Sequence, residues 1–365
     1  MKKLFFILVV CLITMETRAQ HHQLFIGTYT NKGNSEGIYV YDFNHQTAAT
    51  ELREVIPATN PSYLALYDKN WLYHVNEDGE FSAVTALKIN QKNKEAAKLS
   101  FLNSKGKDPC YLIADQKFVL VANYSGGSIA VFERSEKDGS LNNFTQLIKH
   151  TGKGVDPKRQ SSAHVHQVLF SPDRKYIIST DLGEDQVYLY NYNPDGGNEI
   201  LTLKKTIKTN AGTGPRHIAF SPDGNFAYLV HEFNGSITAY HYHDGDLDPL
   251  QEVATAANDF KGKIDGADIH VSADGKFLYE TNRGDANTIS VFAISKEGLL
   301  SHVETLSTLG KGPRNFTIDP SGNYILVAHQ YGNVVIFNRD QATGKLKDSG
   351  KRIDVGSPVC LVFNK

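Results

Sequence analysis

The sequence predicts an all-β, seven-bladed propeller, and three observations carry that prediction. First, a phrase of short apolar strand, tight turn, second strand and third strand recurs from Asn60 onward; its clearest copy is GPRHIAFSPDGNFAYLVHEFNGSI, residues 214–237. Second, strand starts at Pro61, Pro109, Val165, Pro215, Gly266, Pro313 and Pro358 give intervals of 48, 56, 50, 51, 47 and 45 residues. A period of that length with several strands in each copy denotes propeller blades. Third, the last copy stops after one strand, 359–363, while the N-terminus offers LFIGTYT (24–30), GIYVYDF (37–43) and an outer strand near 51–56. Six complete blades and one shared between the two ends make seven. An open ring would leave unpaired strand edges, so the C-terminal strand is expected to pair with the N-terminal ones, and truncating either end to unravel the domain.

From the N-terminus, Lys2 and Lys3, an apolar run over 4–13 and Thr17-Arg18-Ala19 before Gln20 read as a secretory signal cleaved after residue 19. The run is about half the roughly 20 residues a bilayer span needs, so no membrane span is expected in the mature chain, which would occupy the periplasm or the exterior. Residues 20–365 then form one propeller domain, because a ring is one cooperative unit. Lys plus Arg 38 against Asp plus Glu 40 gives a net charge of −2, which offers no footprint for nucleic acid. Cleavage leaves Cys110 and Cys360 in different blades; a disulfide is open, and two buried free thiols is the preferred reading.

Each inner strand turns at SPDR (171–174), SPDG (221–224), SADG (272–275) or DPSG (319–322), where Pro presets φ and Gly tolerates positive φ. A hairpin returns to where it began. The starts of the inner strands and the ends of the second strands therefore share one face and encircle the channel mouth. After the starts stand Ser62, Cys110, His166, Arg216, Ala267, Arg314 and Val359; at the second-strand ends stand Tyr29, Glu77, Tyr124, Leu182, Glu232, Arg283 and Gln330, preceded by polar residues such as Asn123, Asp181 and His231. Core positions such as Ile218 and Phe220 stay apolar while the rim diverges, and divergence on one face of a regular repeat marks a small-molecule site. The longest interval contains HTGKGVDPKRQSSAHVH (150–166) on the same face. Its Lys153, Lys158 and Arg159 form either a lid or a solvated charged loop.

His166, with His164 two residues before it, suits acid–base work near neutral pH. A third and fourth ligand at zinc spacing are lacking, so no metal and no cofactor is expected. Arg216 and Glu232 lie at opposite ends of one hairpin and should meet, which alone would be a structural ion pair. Arg283 and Arg314 add two guanidinium groups to the same mouth, and that concentration of charge implies an anionic or carbonyl-rich ligand. Glu77, Asn123, His164, Arg314 and Gln330 complete the candidate substrate contacts. His217, His231, His270 and His329 are placed deeper in the channel; His241 and His243, in an outer strand, are assigned no function.

GTYT near residue 27, AHVHQVLFSPD, GPRHIAFSPDG, HEFNGSI, NRGDANTISVF and GPRNFTIDPSG together resemble the seven-bladed propeller lactonase family, which includes the propeller-type 6-phosphogluconolactonase and the fungal carboxymuconate cycloisomerase. The resemblance covers the mature chain. By motif, the family's catalytic histidine falls on His166, its arginines on Arg216 and Arg283 and its carboxylate on Glu232. It implies a monomeric, metal-independent hydrolase of a sugar δ-lactone, in which the arginines stabilise the oxyanion and Glu232 or His166 activates water. Because 6-phosphogluconolactone is a cytosolic metabolite, either the three arginines bind its phosphate or this secreted member acts on an unphosphorylated aldonolactone, the second being the preferred reading. The competing class is a propeller that binds carbohydrate or protein and catalyses nothing.

Overall fold

The computed structural model describes residues 21–90, 95–257 and 259–364; the signal-peptide reading lies outside them. Seven four-stranded antiparallel sheets form the blades. The first blade takes its innermost strand from the C-terminus, Pro358–Asn364, followed by His21–Thr28, Gly37–Asn44 and Thr50–Pro57. Gln23 pairs with Asn364 and Gly27 with Cys360, so the two ends share one sheet, as the repeat requires. The other six blades begin at Leu64, Pro109, Val165, Pro215, Ile264 and Pro313. Among the described residues the one helical piece is a 3-10 turn at Gly79–Phe81.

The core lies between blades. Leu24, Ile26 and Phe43 of the first blade pack against Leu326, Val334 and Ile336 of the last, while Phe25, Val40 and Ile56 pack against Leu64 and Leu72 of the second. Each such side chain, taken fully from water, contributes about 1.5–3 kcal/mol. Ring closure therefore rests on side-chain burial as well as strand pairing, and no blade can bury its faces alone.

The structure departs from the repeat in two ways, in where two inner strands start and in register; the sixth inner strand opens at Ile264 instead of Gly266. The inner strand of the second blade begins at Leu64 instead of Pro61, because Asn60 adopts a left-handed φ of 39° and the residues before Leu64 are drawn into loop contacts. The second departure recurs. The inner strands carry a register irregularity between Pro109 and Tyr111, Val165 and Gln167, Pro215 and His217, and Pro313 and Asn315. Cys110, His166, Arg216 and Arg314 are the extra residues of these bulges. A bulge leaves one residue out of the ladder and re-aims its side chain, and Pro, which has no N–H to give, suits the position before it.

Candidate active site

Four bulge residues and five second-strand ends converge on one cavity of about 170 Å³ at the channel mouth. Cys110, His166, Arg216 and Arg314 enter from the inner strands, Tyr29, Glu77, Tyr124, Glu232 and Arg283 from the second strands, and Arg159 from the long insertion. A groove of about 370 Å³ beside Thr238 and Glu252 is larger, but it lies between outer strands and lacks this convergence of charge.

Glu232 is the hub of one side. Its Oε2 accepts from Arg216 Nη1 at 2.5 Å and Arg283 Nη2 at 2.8 Å, and its Oε1 from Arg159 Nη2 at 2.5 Å. Burial alone would raise the Glu232 carboxyl, but Arg283, Arg216 and Arg159 outweigh it and hold the group well below the usual carboxylate range. Arg216 is itself almost fully buried; Nε donates to the Ala267 carbonyl at 2.6 Å, and Nη1 also meets His166 Nε2 at 2.8 Å. A guanidinium only donates, so Nε2 of His166 must be the accepting nitrogen and Nδ1 carries the proton. Burial, reinforced by Arg216, keeps this imidazole neutral by pushing its pKa well below the ordinary value. Burial, with Arg283 next, brings Arg216 down to about 10, so it is still charged at neutral pH.

Arg216 has Nη2 remaining once Nε and Nη1 are committed, and Arg283 Nε is buried without a protein partner. On the other side, Arg314 lies over the Tyr29 ring at 5.5 Å, and the Tyr29 hydroxyl donates to Glu77 at 3.1 and 3.2 Å to its two oxygens. Burial opposes the Arg314 charge, but Tyr29 and Glu77 more than compensate and keep its pKa raised.

The insertion is tied at its base and tip. Asp181 clasps both ends, accepting from His150 Nδ1 at 2.7 Å and from the His164 amide at 2.8 Å. Gln160 crosses the loop, taking the Asp156 amide and giving Nε2 to the Leu182 carbonyl. Arg159 thus projects inward over the Phe233 ring at 4.8 Å to reach Glu232, whereas Lys153 and Lys158 are exposed. The lid reading holds for one arginine, and the solvated-loop reading for the two lysines.

Of the candidate residues, His166, Arg216, Glu232, Arg283, Arg314 and Glu77 line the cavity together. Asn123 does not: it is fully buried and its Nδ2 ties Ser104 O to Ser128 Oγ, both at 3.2 Å. A residue one step before the strand end points to the opposite side of the sheet from the rim residue. His164 stands behind the cavity, stacked on Tyr124 at 4.5 Å, and Gln330 lies against Gly312. Tyr29 and Tyr124 occupied the correct ring positions without being counted as candidate contacts. Among the channel histidines, His217 lies under His166, ring centroids 5.1 Å apart, and pairs with Asp268 at 2.8 Å. Cys110 and Cys360 are buried free thiols. Among the described residues, the one grouping of three side chains spaced to hold a metal is the exposed His241, His243 and Asp248, which contributes nothing to this cavity.

A seven-bladed ring with a recessed, arginine-rich mouth is the architecture of a propeller hydrolase, and the chain matches the family "Lactonase, 7-bladed beta-propeller" over residues 23–363. It belongs to that family and is a lactonase by class. It is 36% identical over 350 residues to a 6-phosphogluconolactonase of Bacillus subtilis, covering 93% of this chain and 97% of the relative. A 6-phosphogluconolactonase of Formosa agariphila is likewise 36% identical, over 89% of this chain and 94% of its own length. The solved structure of a periplasmic gluconolactonase from Pseudomonas aeruginosa superimposes with a TM-score of 0.90 at 36% identity, covering 94% of this chain and 99% of that one.

Proposed function

We propose that this protein hydrolyses an unphosphorylated aldono-δ-lactone, in the cell envelope or outside the cell. The carrying observation is the convergence of Arg216, Arg283 and Arg314 on one recessed cavity, with the Glu232 carboxylate fixing the first two guanidinium groups. Attack on the lactone carbonyl turns a neutral oxygen into an oxyanion. Donors held in place before the charge develops stabilise it without reorganisation, and in a recessed site such contacts are strong. His166 and Glu232 orient Arg216, Glu232 orients Arg283, and Arg314 and Tyr29 face the polyol ring. The compact cavity, the name of the Pseudomonas relative and the signal-like segment 1–19 support the unphosphorylated substrate.

A second reading, 6-phosphogluconolactone, is favoured by Arg159, a fourth guanidinium at the outer edge of the cavity, and by the names of the Bacillus and Formosa relatives. Acid release above the spontaneous rate from glucono-1,5-lactone and 6-phosphogluconolactone separates the two. A higher kcat/KM for the unphosphorylated lactone, with a native N-terminus near Gln20, is the expected result. A preference of about 100-fold for the phosphorylated lactone, equivalent to about 2.7 kcal/mol, with Met1 intact in the cytosol, overturns it. Acceleration of neither reaction would return the chain to the binding-propeller reading.

A further inference from the structure

The two groups that the sequence offers as base are both occupied. Glu232 gives its oxygens to three guanidinium groups, and His166 spends its accepting nitrogen on Arg216. A carboxylate so neutralised is a weak proton acceptor, since efficiency in base catalysis follows basicity. The cavity holds a second carboxylate, Glu77, whose environment differs. Among the described residues its side chain takes hydrogen bonds from the Tyr29 hydroxyl alone; the Arg314 charge stands near it, but no guanidinium is hydrogen-bonded to it. One phenol leaves lone pairs on both oxygens open to water.

The backbone around Glu77 is built to hold it. The Glu77 amide donates to Asn60 O at 3.1 Å, and Asn60 Nδ2 donates to Glu77 O at 3.0 Å. Asn60 is fixed in turn, its Oδ1 accepting from the Thr30 and Asn31 amides at 2.9 and 3.1 Å. The preceding residue, Asn76, donates to Thr59 O at 2.9 Å and accepts from Thr85 Oγ1 at 2.8 Å. These contacts consume the residues by which the second blade starts late, and departures from a regular repeat concentrate where a site needs them.

We infer that Glu77 is the general base of this site, an inference that rests on the lactone-hydrolysis reading above. A water beside Glu77 passes a proton to its carboxylate as the water oxygen bonds to the lactone carbonyl carbon, and the carbonyl electron pair moves onto the oxygen facing Arg216 and Arg283. Collapse restores the C=O bond and breaks the bond to the ring oxygen. The ring oxygen takes the proton back from Glu77, the open hydroxy acid leaves, and the carboxylate is regenerated. Glu232 serves as a positioning residue for the arginines.

The test uses the purified full-length protein and glucono-1,5-lactone. Glu77→Gln, with an unchanged melting temperature, is expected to lower kcat by about 100-fold or more while KM moves less than about threefold. Formate is expected to restore about tenfold or more of the activity lost in Glu77→Ala, an effect that a merely structural carboxylate would not show. Should the Gln variant not fold, Glu77→Asp keeps a displaced base and is expected to retain about a tenth of the wild-type kcat. Wild-type kcat in a folded Gln or Asp variant, or an Ala variant that formate does not restore, overturns the inference alone. A wild-type protein that accelerates no lactone hydrolysis overturns the lactone reading and this inference with it.

Discussion

The two faces of the ring are made by the same hairpins, yet they are written in different alphabets. On the turn face, Ser171 Oγ donates to Asp173, Ser221 to Asp223 and Ser272 to Asp274 at 2.6, 2.5 and 2.6 Å; the last blade swaps the order and keeps the bond, Ser321 to Asp319 at 2.5 Å. On the mouth face the corresponding positions carry His166, Arg216, Arg314, Glu77, Glu232 and Arg283. A turn poses one geometric problem, and four blades answer it with the same serine–aspartate bond. A ligand is not sevenfold symmetric, so each blade must present it something different. Repetition therefore marks the residues that fold this chain, and divergence marks the residues that act.

The sharpest way to break that contrast is to remove a mouth residue. Arg283→Ala deletes one guanidinium of the cavity and one of the three charges on Glu232, and is expected to lower kcat/KM for an aldonolactone by about 100-fold with the fold intact; a folded variant with near-normal turnover would show that the convergence is structural.

Acid separates the faces by stability. His217 and His231, in the mouth half, are pushed by burial down to about 4, and His329 likewise. Between about 6.5 and 4 the unfolded chain binds protons on these imidazoles that the folded chain refuses, so stability rises with pH across that window and falls on acidification. The Asp223 carboxyl on the turn face is lowered by its bond from Ser221, so its contribution is fully present above the unfolded value and is lost only as pH falls below it. Chemical denaturation from pH 7 to 3 should show the histidine loss first; a stability flat from 6.5 to 4 would contradict it.

The smallest expected effect is at the turn itself. Asp223→Ala loses the bonds from Ser221 Oγ, the Asn225 amide and Asn225 Nδ2, costing about 1 kcal/mol, while kcat/KM stays at the wild-type value. A tenfold activity loss there would mean that the two faces are not separable.

Much of the site was legible because hairpin geometry is local. Arg216 and Glu232 meet at 2.5 Å because sixteen residues of strand, turn and strand bring them back together, and the prolines at 109, 215 and 313 stand one place before bulges that no other signal announces. Asn123 stands one residue before a strand end and so faces away from the mouth, and Gln330 packs back against Gly312. Arg159 was visible only as one of three charges in a long loop; that it alone turns inward depends on Asp181, on Leu182 holding the neighbouring Gln160, and on Phe233, all more than twenty residues away in sequence.

By itself, then, the sequence determined the repeat, the strand pairing across the termini, the face on which the polar rim gathers and most of the charged groups on it, since each follows from periodicity and from turns a few residues long. Only the tertiary structure decided how those charges are shared. Three arginines fall on Glu232, one of them also on His166, while Glu77 takes its side-chain hydrogen bonds from Tyr29 and meets Arg314 through charge alone. The reason is that hydrogen bonds between blades are fixed by the closing of the ring, which brings together groups separated by 48 residues between Tyr29 and Glu77 and by 73 between Arg159 and Glu232, and no local pattern records which of several donors an acceptor will take.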